Sequence, residues 1–382
     1  MIKSYLLAPG PTPVPPRVLL AMAQPLIHHR TPQFSQIFAE AKRGLQALFQ
    51  TAEDVLILAA SGTGAMEGAV TNLFSAGDEV LVVNGGKFGE RWSKIAGAHG
   101  LTVTELRVPW GRSAKVEDVR RLLERRPGIR AVLLQASETS TAAVHPVEAI
   151  ASLTRVRDVL LIVDGITAVG VFDVPMDRWG IDVLITGSQK ALMLPPGLAF
   201  VALSSRAWQR VKGAALPRFY FDFARERESQ ARDTTAWTPA ISLIVGLREA
   251  LAMIQEEGIP RVFERHARLA AATRAAATAL GLQLVAPEAP SPALTGILTP
   301  PGIDGTKLVA YLRDRMGVTF AGGQEQLKGK IVRIAHLGHM GAFDVVTAIA
   351  ALEMALCRFG HEVPLGRGVG AAQQALVGAL PE

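Results

Sequence analysis

The sequence predicts an α/β protein whose large part is built on a mainly parallel sheet, with a smaller α+β part behind it. Three observations carry this. From about residue 52 to 205, short apolar runs alternate with amphipathic ones. The apolar runs are rich in Val, Ile and Leu and lack polar alternation, as strands covered on both faces do. From about residue 240 the pattern turns mostly helical.

In chain order, strands are expected at 55–59, 79–83, 102–106, 131–135, 159–163, 183–186 and 198–203. Helices are expected between them at 65–74, 90–99 and 116–126. Beyond 240, helices follow at 241–257 and 260–280, then a short apolar piece at 296–298 and a helix at 307–316. A strand at 330–335 and a helix at 342–359 complete the smaller part, and the small-residue-rich stretch 366–382 reads as a marginal helix. The division expected is a segment 1–20 near the active site, a large domain 21–255 and a small domain 256–382. Hydrophobic residues make up 49% of the chain and charged ones 19%, so the 36 Gly and 23 Pro mark strand–helix junctions rather than disorder.

One cysteine, Cys357, excludes an internal disulfide framework and a multi-cysteine zinc site, and points to a reducing cytoplasm. No apolar stretch approaches the roughly 18 residues of a membrane span, and the first residues carry too short an apolar run for a signal peptide. The net charge of +6 is spread among interleaved acids, so no nucleic-acid surface is expected. His28, His29, His336 and His339 are not spaced as a metal site.

Three features fall at the carboxyl ends of expected strands, where open α/β sheets bind ligands. In LAASGTGAMEGAV (58–70) a strand gives way to Ser61-Gly62-Thr63-Gly64 and then a helix, so free N–H groups and glycines form an anion cradle. It is neither a Walker loop nor G-x-G-x-x-G, which argues against ATP and NAD, although a plain capped turn has the same pattern. In LLIVDGITAVG (160–170), Asp164 follows four apolar residues, where a carboxylate is costly unless a cation meets it; a helix N-cap is the ordinary alternative. In DVLITGSQKALMLPPG (182–197), Lys190 stands in an apolar run that would desolvate its amine and lower its pKa. A lone lysine there would ordinarily be a surface group. Taken in order, the cradle, the carboxylate and the lysine match the needs of pyridoxal phosphate: an anchored phosphate, a protonated ring nitrogen and an aldehyde held as a Schiff base.

Further motifs accompany these: APGPTPVPP (8–16), HHRTPQF (28–34), NGGKFGERW (84–92), ETST (138–141), GSQKAL (187–192), TPAISLIVGLREAL (238–251) and VRIAHLG (332–338). On them the chain resembles the class V aminotransferases of the PLP-dependent transferase fold type I, specifically the alanine/serine–glyoxylate group, over roughly residues 5–360. The resemblance implies that Lys190 carries the cofactor and moves the substrate proton, while Asp164 pairs with the ring nitrogen. Thr63, Gly64 and Gln189 would hold the phosphate, joined by Thr235 and Thr238 from the other subunit of a homodimer. Phe88 and Ile166 would pack on the two ring faces, and Thr139 would lie near the ring hydroxyl. Arg333 would bind the substrate α-carboxylate, with the backbone around Gly10 lining the same pocket. Ala142 departs from the glycine common after the ETST-like motif, which puts the local backbone in question.

The expected reaction moves an amino group from a small amino acid, alanine or serine, to glyoxylate or another 2-oxo acid by a ping-pong route. Other donors (an aminophosphonate, ureidoglycine or aspartate) stay open. A lyase or cysteine desulfurase is a rival, but Cys357 lies in the apolar run IAALEMALCRF, a setting typical of a packed thiol. A non-catalytic subunit of a larger complex is another, disfavoured by the presence of Asp164, Lys190 and Arg333 together.

Overall fold

Alternate residues of the central strands enter two different cores. Leu81 and Val83 pack with Leu134, Val163 and Phe200 on one face, while Val80 and Val82 pack with Leu133, Ile162 and Ile185 on the other. A strand pleat sends successive side chains to opposite faces, so a run with no polar positions requires cover on both. Each such side chain contributes about 1.5–3 kcal/mol when fully buried. The computed structural model describes residues 3–377, and the cover is helical. Helix Pro32–Phe49 contributes Phe34, Phe38 and Leu45 to one face, and helices Gly62–Leu73 and Lys87–Ala98 contribute Met66 and Trp92 to the other.

The sheet has seven strands: β1 (Val55–Ala60), β2 (Glu79–Asn84), β3 (Thr102–Arg107), β4 (Ile129–Gln135), β5 (Leu160–Asp164), β6 (Val183–Gly187) and β7 (Gly197–Leu203). Their spatial order is β1-β7-β6-β5-β4-β2-β3. Only β7 runs against the others. The carboxyl ends of the other six therefore share one edge. The order reverses between β2 and β4, the kind of switch point at which open sheets form a crevice.

All seven strands stand where the sequence pattern places them, to within two residues. Two helices start three residues earlier than expected. Helix Gly62–Leu73 begins directly after β1, so the SGTG stretch is its first turn rather than a separate loop. Helix Lys87–Ala98 starts at a cap supplied from residues 138–140, far away in sequence. The sequence pattern does not mark helices Pro16–Met22, Pro32–Phe49, Val147–Arg155, Ser205–Gly213 and Phe223–Gln230.

The smaller part holds a three-stranded antiparallel sheet in which Ile331–Ala335 lies between Leu294–Leu298 and Ala321–Gly322. Helices Ile259–Ala279, Gly305–Met316 and Ala342–Arg358 cover it. Helix Ile259–Ala279 starts in the large core with Val262 and continues into the small one from Leu269. The expected tail helix is present as Arg367–Val377, and residues 378–382 lie outside the described residues. An early segment crosses over to this part: Tyr5–Leu6 pairs in parallel with Val318–Thr319, and Leu7 belongs to the smaller core. No helix among the described residues is long and apolar enough to cross a membrane.

Candidate active site

Lys190 sits in the loop that turns β6 back into β7. Ser188 braces that loop: its N–H donates to Leu198 O, and its hydroxyl donates to Pro195 O at 2.7 Å. The early segment closes over the lysine. Lys190 Nζ donates to Pro9 O at 2.5 Å, and Thr12 Oγ1 donates to Lys190 O at 2.9 Å. Gly10, at φ +128°, passes so close that a Cβ there would overlap Nζ. Only glycine combines that backbone with that clearance. Burial, helped by Arg333 and Arg91, brings the amine down to about 8, against the pull of Asp164.

Asp164 ends β5, two strands from β7. Its Oδ1 accepts from Ile166 N at 2.9 Å, while burial drives the carboxyl up to about 7, with Glu138 adding to the shift. A carboxylate so desolvated stays charged only beside a cation. Ile166 reaches over Gly62, whose missing Cβ leaves room for its Cδ1. Beside Asp164, Thr167 donates its hydroxyl to Ser137 O at 3.0 Å, so its 2.8 Å contact with Thr139 is one in which Thr139 donates. The Thr139 oxygen keeps lone pairs free to accept a further bond.

Across the cleft, helix Gly62–Leu73 points its first turn at the lysine. Ser61, at the N-cap, makes no side-chain cap. Ser61, Gly62, Thr63, Phe88, Gln189 and Lys190 line one pocket with Asp164. Gly64 is not at this surface. Its N–H turns back to Ser61 O, and a Cβ on it would face Ala60 and Phe221. The expectation for Gly64 is thus displaced to Gly62, because the helix begins earlier than the pattern suggests. Gln189 lines the pocket with a buried Oε1 that has no partner among the described residues.

Phe88 is held in place by an acid that sequence reasoning missed. Glu138, fully buried, accepts from Phe88 N at 3.1 Å, Gly89 N at 3.0 Å, and both the N–H and hydroxyl of Ser140. It caps the helix from outside, and burial raises its pKa. Arg91, also unforeseen, donates to Thr63 Oγ1 at 2.9 Å and stands 4.7 Å from the Phe88 ring centroid. Both residues lie within motifs noted for other members (ETST and NGGKFGERW), but only the fold brings them to the pocket.

Arg333 is buried on the central strand of the small sheet. Its Nη1 donates to Thr139 O at 2.8 Å, and Nε and Nη2 donate to Gly322 O at 3.0 and 2.8 Å. Burial brings the guanidinium down to about 10, opposed by Glu138. The fork spans both parts of the chain beside Lys190 with N–H groups to spare. Thr235 and Thr238 lie elsewhere, bordering a cleft with Tyr220, Phe221 and Trp237; within one chain they are not brought to Lys190.

Other expectations resolve as follows. Ala142 adopts φ +59°, so the left-handed backbone persists with alanine in the glycine position. His336 is a buried structural residue bonded to Thr295 and Pro292, and no metal-binding cluster occurs among the described residues. Cys357 is exposed, not packed: it falls in the last turn of helix Ala342–Arg358, on its solvent side. Its place in a regular helix, outside the pocket around Lys190, still disfavours a role as nucleophile there.

The donor set fits pyridoxal phosphate. Asp164 is a buried carboxylate that calls for a cation such as a protonated ring nitrogen, and the lysine amine is desolvated. The uncapped helix end suits an anion, and Gln189 lines the same pocket.

A family model described as "Aminotransferase class-V" matches residues 4–339. The chain is 44% identical to the "Soluble hydrogenase, small subunit" of Synechococcus sp. (strain PCC 6716), covering 98% of each chain. It is 38% identical to the L-aspartate–glyoxylate aminotransferase of Paracoccus denitrificans (strain Pd 1222), over 96% of this chain and 94% of that one. The solved ureidoglycine–glyoxylate aminotransferase of Bacillus subtilis superposes with a TM-score of 0.95 at 30% identity, covering 99% of both chains.

Proposed function

The chain belongs to the class V aminotransferases and is a pyridoxal-phosphate-dependent transaminase, and from that premise we propose that it transfers the amino group of a small amino acid, alanine or serine, to glyoxylate. The observation that carries the reading is that Lys190, its amine held near 8, and Asp164 line one cleft, with Arg333 bonded to Thr139 of its lining. Glyoxylate as acceptor is supported by the names of two relatives that otherwise differ in donor.

When bound, pyridoxal phosphate supplies an aldehyde that condenses with amines and a ring that accepts the electron pair left when a Cα–H bond breaks. The chain supplies the rest. Arg333 offers a planar fork to the α-carboxylate, a geometry lysine lacks. Lys190, freed from Pro9 O, takes the Cα proton at Nζ and returns it, since an amine near 8 is available in both forms at neutral pH. Asp164 would hold its charge against a cationic ring nitrogen, Phe88 and Ile166 would pack on the two ring faces, and Thr139 would offer a lone pair to the ring hydroxyl. The Ser61–Thr63 turn and Gln189 are the proposed phosphate anchor.

The active unit in this reading is a homodimer in the cytoplasm, formed of the domains 21–255 and 256–382 with the segment 1–20 over the site. Thr235 and Thr238 complete the phosphate anchor of the partner's site. Support comes from their position away from Lys190 on an aromatic surface with Phe219 70% exposed. The hydrogenase-subunit name of one relative favours a second reading, a part in a larger complex; the intact catalytic set favours catalysis.

The test is to assay alanine, serine, aspartate, ureidoglycine and an aminophosphonate against glyoxylate and pyruvate, together with the absorbance of bound cofactor. Glycine formed fastest from alanine or serine, with the absorbance lost in Lys190→Ala, supports the proposal. Preference for aspartate or ureidoglycine reassigns the donor. Wild-type protein that binds no cofactor and forms no glycine defeats the reading.

A further inference from the structure

Helix Gly62–Leu73 presents the positive end of its dipole to the pocket, and the N–H groups of Gly62 and Thr63 find no acceptor among the described residues. A second positive charge is brought to the same place. Arg91, in the first turns of helix Lys87–Ala98, lines the pocket and donates to Thr63 Oγ1. That is its one hydrogen bond, and no carboxylate pairs with it among the described residues. A guanidinium set against a helix N-terminus is repelled by it unless an anion lies between them. Lys190 adds a further cation across the cleft. Asp164 is the acid of the same pocket; its Oδ1 accepts from Ile166 N, and it feels Arg91 through space without pairing with it. Glu138 is held by the N–H groups of Phe88 and Gly89, so neither acid bonds to Arg91 or to the helix end, and a phosphate dianion would fill that place. Arg91 also lies over Phe88 with its Cζ 4.7 Å from the ring centroid, so one side chain touches both the helix end and the ring clamp.

Resting on the reading of this pocket as the pyridoxal phosphate site, we propose that Arg91 recognises the cofactor's phosphate, its free guanidinium N–H groups joining the Gly62 and Thr63 amides. An arginine fork matches phosphate oxygens in geometry as well as charge. The cation–π contact with Phe88 then ties phosphate anchoring to the position of the ring's stacking partner.

The experiment compares the cofactor with pyridoxal, which lacks the phosphate, by titrating each into cofactor-free wild type, Arg91→Gln and Arg91→Lys and following absorbance and Phe/Trp fluorescence. A charge-assisted bond to phosphate makes the expected loss about tenfold or more in Kd for pyridoxal phosphate in Arg91→Gln, with pyridoxal changed less than about threefold. Arg91→Lys keeps the cation and is expected to fall between Arg91→Gln and wild type, and it decides the matter if Arg91→Gln does not fold. Inorganic phosphate should compete with the cofactor more weakly in the variants than in wild type. Unchanged Kd for pyridoxal phosphate, or equal losses for both ligands, overturns the inference; equal losses mean that Arg91 acts only through Phe88. Failure of wild type itself to bind pyridoxal phosphate is a different result, and defeats the reading of the site.

Discussion

The amine of Lys190 is prepared before any ligand arrives. Burial lowers it from the ordinary lysine value to about 8, so its neutral, nucleophilic form grows in as pH rises through 8. In cofactor-free protein, acylation of Lys190 by an amine-selective reagent should show a midpoint near pH 8, with surface lysines about two units higher; a midpoint near 10.5 would contradict the burial argument. Asp164 is shifted the other way, up to about 7, mostly by burial. Asp164→Ala is expected to weaken cofactor binding and cut turnover by more than about tenfold, measured by titration and steady-state kinetics; turnover near wild type would remove its role. Arg333→Ala should raise KM for both amino and oxo acids by about 10–100-fold, the loss of a charge-assisted pair, while bound cofactor stays intact. Lys190 and Asp164 were legible because each follows an apolar strand run, whereas Arg333 entered only through the family resemblance, since an arginine on a strand reads as a surface residue. Glu138 and Arg91 were not legible, because a local pattern does not reveal that residue 138 caps a helix starting at residue 87.

At the scale of elements, the strands were the most legible part, since two-sided burial leaves an uninterrupted apolar run. Helix starts were less so. The Gly62 start depends on Ile166 needing the space of a missing Cβ, and the Lys87 start depends on a cap from another loop. That second dependence is testable. Glu138→Ala strips acceptors from three buried backbone N–H groups, at about 1–3 kcal/mol for each left unsatisfied. Chemical denaturation should show a midpoint well below wild type, and the remaining folded enzyme should have a raised KM because Phe88 is no longer fixed. An unchanged midpoint would mean that water replaces Glu138 at no cost. Helix Pro32–Phe49 went unmarked although it helps cover one sheet face with Phe34, Phe38 and Leu45; the motif HHRTPQF (28–34) spans its start but was read as a site segment rather than a helix cap.

At the scale of the whole molecule, the proposed homodimer can be tested directly. If Thr235 and Thr238 serve the neighbouring subunit, then Lys190→Ala and Thr235→Ala/Thr238→Ala proteins, each feeble alone, should complement after mixing and subunit exchange. A heterodimer carries one site with both lesions and one with neither, so about a quarter of wild-type activity should return. No recovery after verified exchange would place both threonines in the same site as their own Lys190. The two-part architecture was legible from the change in pattern near residue 240. The way the parts are joined was not, because Arg333 reaches Thr139 and Tyr5 reaches Val318 across long stretches of chain.

That last joining has a consequence in time. The segment from Tyr5 to Thr12 is made well before its partners: the strand it pairs with comes some 300 residues later and the lysine it closes over some 180 later. At about 5–20 residues per second of synthesis, it waits roughly 15–60 seconds for Val318 to exist. Through that interval Leu7 has no core to enter, and Pro9 has no amine to hold. Lys190 is thus secured late in assembly, by residues made long before it, and a nascent chain stalled before residue 318 would leave the pocket open.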